Sequence, residues 1–571
     1  MLSRRDFLQV AAATTVLTGA GGGLARAAAL QALSQRDLLQ FEALGQVTLL
    51  HFGDIHAHLT PLYYREPSIN IGAGGAAGLP PHLTGDHLLQ AFKIAPGTPE
   101  AYAFTCSEFE ALARGYGKLG GLDRIATLVK AIRAERPHQT LLLDSGDTWQ
   151  GTYVSLQERG ADMVRAMNEL GVDAMTAHWD FTYGTERVKE LVAQLKFPFL
   201  CGNVQDSTWG NWAFDGSKIF ERGGVRVAVI GQAFPYTPIA NPAWLIPGWT
   251  FGIHERRVQE QADQARAAGA DIVVLLSHDG FDVDRKLAAR VKGVDVILTG
   301  HTHDAIPQAV RVGRTLLIAS GSHGKFLARL DLEVKDHAVS DYRFRLIPVF
   351  SDAIAPDPAM AALVAGIRRP YQAELGRVLA RTETMLYRRG NFNGTFDDLI
   401  CDALLAERNA EIALSPGFRW GPTLLAGQEI TLEDLYEQTA ITYPAAYRQS
   451  MTGAELKAAM EDIADNLFNP DPYYQQGGDM VRVGGISYAI DVAKPMGQRI
   501  SELTLARNGT LVDPAKSYVV AGWASVRQGT QGPPVFDVVR AYLERQKSVS
   551  IPPRQLVRVS GADPRGIAAC G

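Results

Sequence analysis

Five short motifs place carboxylates and imidazoles where they could hold divalent metal. In chain order they are Gly53-Asp54-Ile55-His56-Ala57-His58, Asp144-Ser145-Gly146-Asp147, Ala177-His178-Trp179-Asp180, Ser277-His278-Asp279 and Gly300-His301-Thr302-His303-Asp304. An Asp-x-His or His-x-His pair on one loop can aim two side chains at a single centre. Carboxylate oxygens and imidazole nitrogens together suit borderline divalent ions. Asp54, His56, Asp147, His178, His278, His301 and His303 are too many ligands for one ion, but they fit two ions sharing a carboxylate. Two ions a few ångströms apart can activate a water and clamp an anionic oxygen. A lone His after a strand more often caps or packs, yet packing does not account for five such loops in one chain. His51, His82, His87, His138, His254, His323 and His337 read as structural or surface residues. His58 reads as a neighbour that could orient a ligand.

These motifs follow short apolar runs at 47–52, 140–143, 225–230, 272–276 and 294–298, which read as strands buried on both faces. Amphipathic stretches at 122–134, 161–170 and 256–268 lie between the runs and read as helices. The alternation predicts an α/β layered domain with its site beyond the carboxyl ends of the strands. At 571 residues the chain exceeds one ordinary core, so two domains are expected. The first spans 28–350, with a Gly- and Pro-rich insertion at 59–119 folded over it. Pro356-Asp357-Pro358 breaks the pattern, and a long linker helix is expected within 351–379. A smaller C-terminal α/β domain fills 380–571, with helices near 396–406 and 453–464.

Composition narrows the function. Hydrophobic residues at 46% and charged residues at 20% are ordinary for a globular chain. The formal net charge of −5 argues against a nucleic-acid binder. Cys106, Cys201, Cys401 and Cys570 are too dispersed for a CxxC site; one disulfide is possible, and spacing does not identify the pair. Residues 1–27 carry Arg4-Arg5, a weakly apolar stretch and Ala25-Arg26-Ala27, the parts of a Tat-type signal peptide. The expectation is folded export to the periplasm, with metal loaded beforehand. No membrane association is expected after the signal is removed.

On these motifs the chain resembles the calcineurin-like metallophosphoesterases, in particular the two-domain periplasmic 5′-nucleotidases, over nearly all of the mature length. The resemblance implies a layered N-terminal sandwich domain joined by a helix to a smaller C-terminal domain. It assigns Asp54, His56 and His303 to one metal, His178, His278 and His301 to the other, and Asp147 as the bridge. The family pattern at the third loop is Gly-Asn-His-Glu-Phe-Asp-Tyr-Gly. Here it reads Ala177-His178-Trp179-Asp180-Phe181-Thr182-Tyr183-Gly184. His178 thus stands at the metal-binding Asn, Trp179 replaces the catalytic His, and Thr182 replaces its Asp partner. An alkoxide leaving group needs such a proton donor and Trp is none, so a less basic leaving group is implied.

The second domain departs from the nucleotidase pattern as well. The base-binding segments are replaced by Thr442-Tyr443-Pro444-Ala445-Ala446-Tyr447 and by the stretch from Gly522 to Gly529. A Ser415-Pro416-Gly417-Phe418-Arg419-Trp420-Gly421 segment offers Arg419, whose planar fork suits an oxyanion; a domain-interface salt bridge is its other reading. With Pro61 to Asn70 and the third loop, this segment resembles the SoxB-type thiosulfohydrolases. That resemblance implies two manganese ions and a sulfur-carrier protein as partner. The substrate would be a cysteine S-thiosulfonate on the carrier's flexible arm, with sulfate released and Trp179 walling the pocket. Two other readings stay open: a nucleotide or sugar-nucleotide phosphoesterase, and a metal-dependent binding protein without catalysis.

Overall fold

The computed structural model describes residues 33–570, so the signal read at 1–27 lies outside the described residues. Strands β1 (Val47–Phe52), β2 (Thr140–Asp144) and β3 (Ala174–Met175) run parallel in a five-stranded sheet. Strands β4 (Val225–Gln232), β5 (Ile272–Ser277), β6 (Val296–Thr299) and β7 (Thr315–Ala319) form the parallel body of a six-stranded sheet. The chain then returns to the first sheet as β8 (Phe326–Lys335), antiparallel to β1, and β9 (Ala338–Pro348).

The period of two along β4 shows how the layers stack. Val227 and Val229 enter the core shared with the first sheet, whereas Ala228 and Ile230 pack with Val258, Ala262 and Leu287 of helices Glu255–Ala267 and Phe281–Arg290. Helices Leu122–Glu135, Ala161–Leu170 and Pro358–Arg368 pack together beside the first sheet. The α/β sandwich expected from the apolar runs is therefore present. Its parallel strands end side by side, with Phe52 opposite Asp144, Asp144 opposite Met175, and Ser277 opposite Thr299. Every predicted ligand loop leaves from these ends.

Two expectations about organisation need correction. The linker is not one long helix. Pro358–Arg368 is followed by a 3-10 turn at Arg369–Tyr371 and a short helix Gln372–Leu375, and Val378–Thr382 is already a strand of the second domain. Pro370 has no N–H to continue the ladder, which accounts for the break. The insertion does not rest on the first domain alone. It carries helices Gly85–Phe92, Pro99–Phe104 and Phe109–Tyr116 and straps both domains together. Thr423 N–H donates to the Tyr63 carbonyl (2.7 Å), Asn391 N–H to that of Ile69 (3.0 Å), and Ile69 bridges to Ile567. Buried Lys325 anchors the strap to the first domain through Glu66, 2.6 Å away.

Cys106 of the insertion and Cys570 form a disulfide, with Cα atoms 5.7 Å apart across 464 residues of sequence. This closes the strap onto the C-terminal domain and leaves Cys201 and Cys401 as buried thiols. Removing the cross-link by Cys106→Ser should lower stability by about 2–4 kcal/mol, because the unfolded chain regains the closed loop's freedom. Thermal unfolding with and without reductant measures this. Identical midpoints for the variant, the reduced protein and the native protein would contradict it.

Candidate metal centre

All seven predicted ligands converge in one buried centre, as two groups. Asp54, His56, Asp147 and His303 bring ligand atoms within 4.8 Å of one another, as do His178, His278 and His301. Asp147 lies between the groups. Its Oδ2 is 3.6 Å from His56 Nε2, 3.2 Å from His178 Nδ1 and 3.3 Å from His278 Nε2. Asp54 Oδ1 is 3.3 Å from His303 Nε2 and 3.6 Å from His278 Nε2.

The nitrogens that face the two carboxylates are poorly satisfied by the protein alone. His278 Nε2 is buried without a hydrogen bond among the described residues, 3.3 Å from Asp147 and 3.6 Å from Asp54, and His178 presents Nδ1 to Asp147. His56 Nε2 and His303 Nε2 face each other at 3.0 Å, where cations would satisfy both lone pairs. Carbonyls orient two of the rings. His56 Nδ1 meets the Gln150 carbonyl at 3.2 Å and His278 Nδ1 that of Ser145 at 2.5 Å, leaving each Nε2 for the centre. The donor set and its orphaned atoms fit divalent metal.

Local backbone explains how the loops aim inward. Asp54, His56, Asp147, His301 and His303 all have positive φ, between 49° and 76°, in the left-handed region that L side chains rarely adopt. Hydrogen bonds between loops hold them there. Asp54 N–H donates to Gly146 (2.8 Å), His56 N–H to Asp147 (2.9 Å), and His301 N–H to the Asp54 carboxylate (3.0 Å).

Burial keeps most of the imidazoles neutral and ready to ligate. It pushes His178 down to about 4 and holds His301 and His303 well below the usual range. Asp147 goes the other way. Burial opposes its ionisation, but the adjoining His178 and His56 outweigh burial and hold it well below the carboxylate range. Burial also raises Asp54 to about 8, while His278, which burial alone would depress, is carried to about 9 by Asp54 and Asp147.

A cavity of about 230 Å³ opens between the domains above these ligands. Its wall is aromatic: Trp179 meets Phe418 and Trp420 edge-on at 5.4 and 5.1 Å and stacks toward Tyr443 at 6.4 Å. Thr182 is turned to the second domain, its hydroxyl 2.6 Å from that of Thr442. Arg419 lines the cavity, but its fork is not free as expected. Nη1 donates to the His301 carbonyl at 3.0 Å, Nη2 donates to Gly478, and Nε lies 3.6 Å from Asp479. Both readings of this residue are therefore in play, because the same guanidinium that borders the cavity also joins the domains. His58 lies beside the centre, its Nδ1 on the Ile55 carbonyl and its Nε2 3.8 Å from Glu437.

Sequence reasoning missed two contributors, Gly477 and Asp180, while His323, read as structural or surface, is a buried packing residue that stacks on Tyr64 at 4.1 Å, with its ring 5.5 Å from that of His56. Gly477 approaches His301 so closely that a Cβ would lie 2.1 Å from Nε2, so only glycine fits. Asp180 accepts hydrogen bonds from two ligand loops at once. The signal for Gly477 is the Gly477-Gly478 pair itself, since adjacent glycines mark backbone that a side chain would obstruct.

Protonation of the centre yields a prediction. Burial raises Asp54 to about 8 and the two carboxylates carry His278 to about 9, so at pH 7 the metal-free site keeps a proton on each, and ligation must expel both. Metal binding at pH 7 should therefore release about two protons, and affinity should rise with pH toward that range. Calorimetric titration in buffers of different ionisation enthalpy measures the release; a proton-neutral titration would contradict this assignment.

Comparison with known proteins places the centre in a family. The calcineurin-like phosphoesterase model matches residues 47–305, and the 5′-nucleotidase C-terminal domain model matches 377–539. The bovine (Bos taurus) 5′-nucleotidase is 25% identical over 434 residues, covering 67% of this chain and 72% of that protein. A 5′-nucleotidase precursor from Thermus thermophilus shares the fold, with a TM-score of 0.72 at 22% identity, over 90% of this chain and 99% of that one. The Thermus thermophilus sulfate thiohydrolase SoxB is 37% identical with a TM-score of 0.88, over 91% of this chain and 98% of that one. The chain therefore belongs to the SoxB-type branch of the calcineurin-like metallophosphoesterases, a family of hydrolases built on the 5′-nucleotidase plan.

Proposed function

We propose that this hydrolase cleaves the sulfonate from a cysteine S-thiosulfonate on a sulfur-carrier protein, releasing sulfate during thiosulfate oxidation. The observation that carries the reading is the cavity wall at the third loop. Trp179 occupies the place where the nucleotidase pattern has its proton-transferring His, and Thr182 bonds Thr442 instead of supporting such a His. A persulfide leaving group is far less basic than an alkoxide, so it departs without a proton donor. Phe418, Trp420 and Tyr443 complete an apolar wall, and divalent sulfur is well accommodated by aromatic rings.

In this reading Asp54, His56 and His303 would hold one manganese ion and His178, His278 and His301 the other, with Asp147 shared between the two groups. When bound, the ions supply Lewis acidity and positive charge for a tetrahedral anion. The protein's own groups do the rest. Carbonyls of Gln150 and Ser145 orient two imidazoles, Trp179 limits water, and Arg419 borders the cavity while bracing His301. A twin-arginine signal and a disulfide favour the periplasm, an oxidising compartment. A second reading, hydrolysis of a nucleotide or sugar nucleotide, is favoured by the likeness to 5′-nucleotidases.

The deciding experiment compares sulfate release from a thiosulfonate-loaded carrier with phosphate release from AMP, with metal counted on the same protein. Sulfate release with little phosphate is expected; the reverse would overturn the reading. Asp147→Ala should lose metal and sulfate release together, and two tightly held ions in that variant would contradict the bridge. Trp179→His, with or without Thr182→Asp, should not become an efficient nucleotidase, because remote binding contacts are also needed; turnover of AMP at sulfate-releasing rates would contradict this. Arg419→Lys should lower sulfate release by about tenfold, or about 1.4 kcal/mol, while both ions remain. Loss of metal instead would show that Arg419 acts only by bracing His301.

A further inference from the structure

The turn that carries the bridging ligand and the loop that carries His178 belong to different strand ends, yet one buried carboxylate ties them together. Asp180 Oδ2 accepts from the N–H groups of Asp147 (3.0 Å) and His178 (3.1 Å). Asp180 Oδ1 accepts from those of Thr148 (3.0 Å) and Trp149 (2.9 Å). The contact is reciprocal, because Trp179 N–H donates to Asp147 Oδ1 at 2.8 Å. Each loop thus presents a carboxylate to the other loop's amides. Asp180 is fully buried and does not line the cavity, so it neither touches substrate nor offers a ligand atom to either group.

Four amide donors on one carboxylate are directional and charge-assisted, so they set position as well as adding strength. Asp147 has a positive φ of 60°, and His178 sits at φ −149° and ψ −91°, outside helix and strand. Neither turn holds its shape by regular secondary structure. Asp180, together with the reciprocal Trp179–Asp147 contact, therefore sets how far the bridging carboxylate lies from the His178 imidazole.

We propose that Asp180 is the positioning residue of the centre: it fixes the bridging Asp147 and His178 relative to each other so that the His178, His278 and His301 group binds its ion. This rests on the two-ion reading above. An Asn at 180 has the same shape but one accepting oxygen, and its amide group would face two N–H donors. One pair of amides would lose its acceptor and the turn would relax.

The test titrates manganese(II) into metal-free native protein, Asp180→Asn and Asp180→Glu. Binding is followed by calorimetry, and the spin coupling of a manganese pair by electron paramagnetic resonance. Thermal unfolding of each metal-free form reports whether it folds. Native protein should bind two ions with a coupled signal; failure here would overturn the two-ion reading itself. Asp180→Asn should fold, bind the second ion at least tenfold more weakly and lose the coupled signal, while Asp180→Glu, which keeps the accepting carboxylate, recovers most of both. Two ions held by Asp180→Asn with native affinity and coupling would overturn the positioning role. So would Asp180→Glu impaired as severely as Asp180→Asn. If Asp180→Asn does not fold, Asp180→Glu decides: a coupled pair supports the role, and its absence in a folded protein contradicts it.

Discussion

The centre depends on holding ligands on backbone that L-amino acids avoid. Five of the seven donors sit at positive φ, and each such residue costs about 1–3 kcal/mol where the surroundings do not enforce it. Enforcement comes from the sandwich. Parallel strands buried on both faces end together, and hydrogen bonds cross from loop to loop as well as running within each loop. Several buried imidazole nitrogens crowd two carboxylates and one another in this centre. Their arrangement makes sense as a template whose energy is recovered when metal enters.

The second domain completes this template rather than merely capping it. Gly477 lies against His301 with no room for a side chain, and Arg419 reaches the carbonyl of the same residue. Gln150 accepts from His56 through its carbonyl and donates its amide to Ala440 across the domain boundary at 2.6 Å. The insertion strap and its disulfide hold the two bodies so that these contacts persist. On the proposed function, substrate selection falls to the aromatic wall, where Trp179 in place of a proton donor would restrict the chemistry to leaving groups that need none.

Much of this is legible in the residues because the signals are local. Strands buried on both faces read as unbroken apolar runs, and each ligand follows such a run by a few residues. The parts that are not legible depend on partners distant in sequence. Asp180 looks like an ordinary loop acid until the amides of 147–149 are seen around it. Arg419 reads as an anion fork because its carbonyl acceptors at 301 and 478 leave no mark in the sequence. The pairing of Cys106 with Cys570 spans almost the whole chain. The linker misleads for a local reason, since its apolar stretch outweighs Pro370 when the residues are read alone.

The most direct test follows oxygen. When a carrier loaded with cysteine S-thiosulfonate is turned over in water enriched in oxygen-18, solvent oxygen attacking the terminal sulfur should appear once in each released sulfate, and the carrier should retain a persulfide. Sulfate free of solvent oxygen, or a carrier left as a simple thiol, would contradict the account.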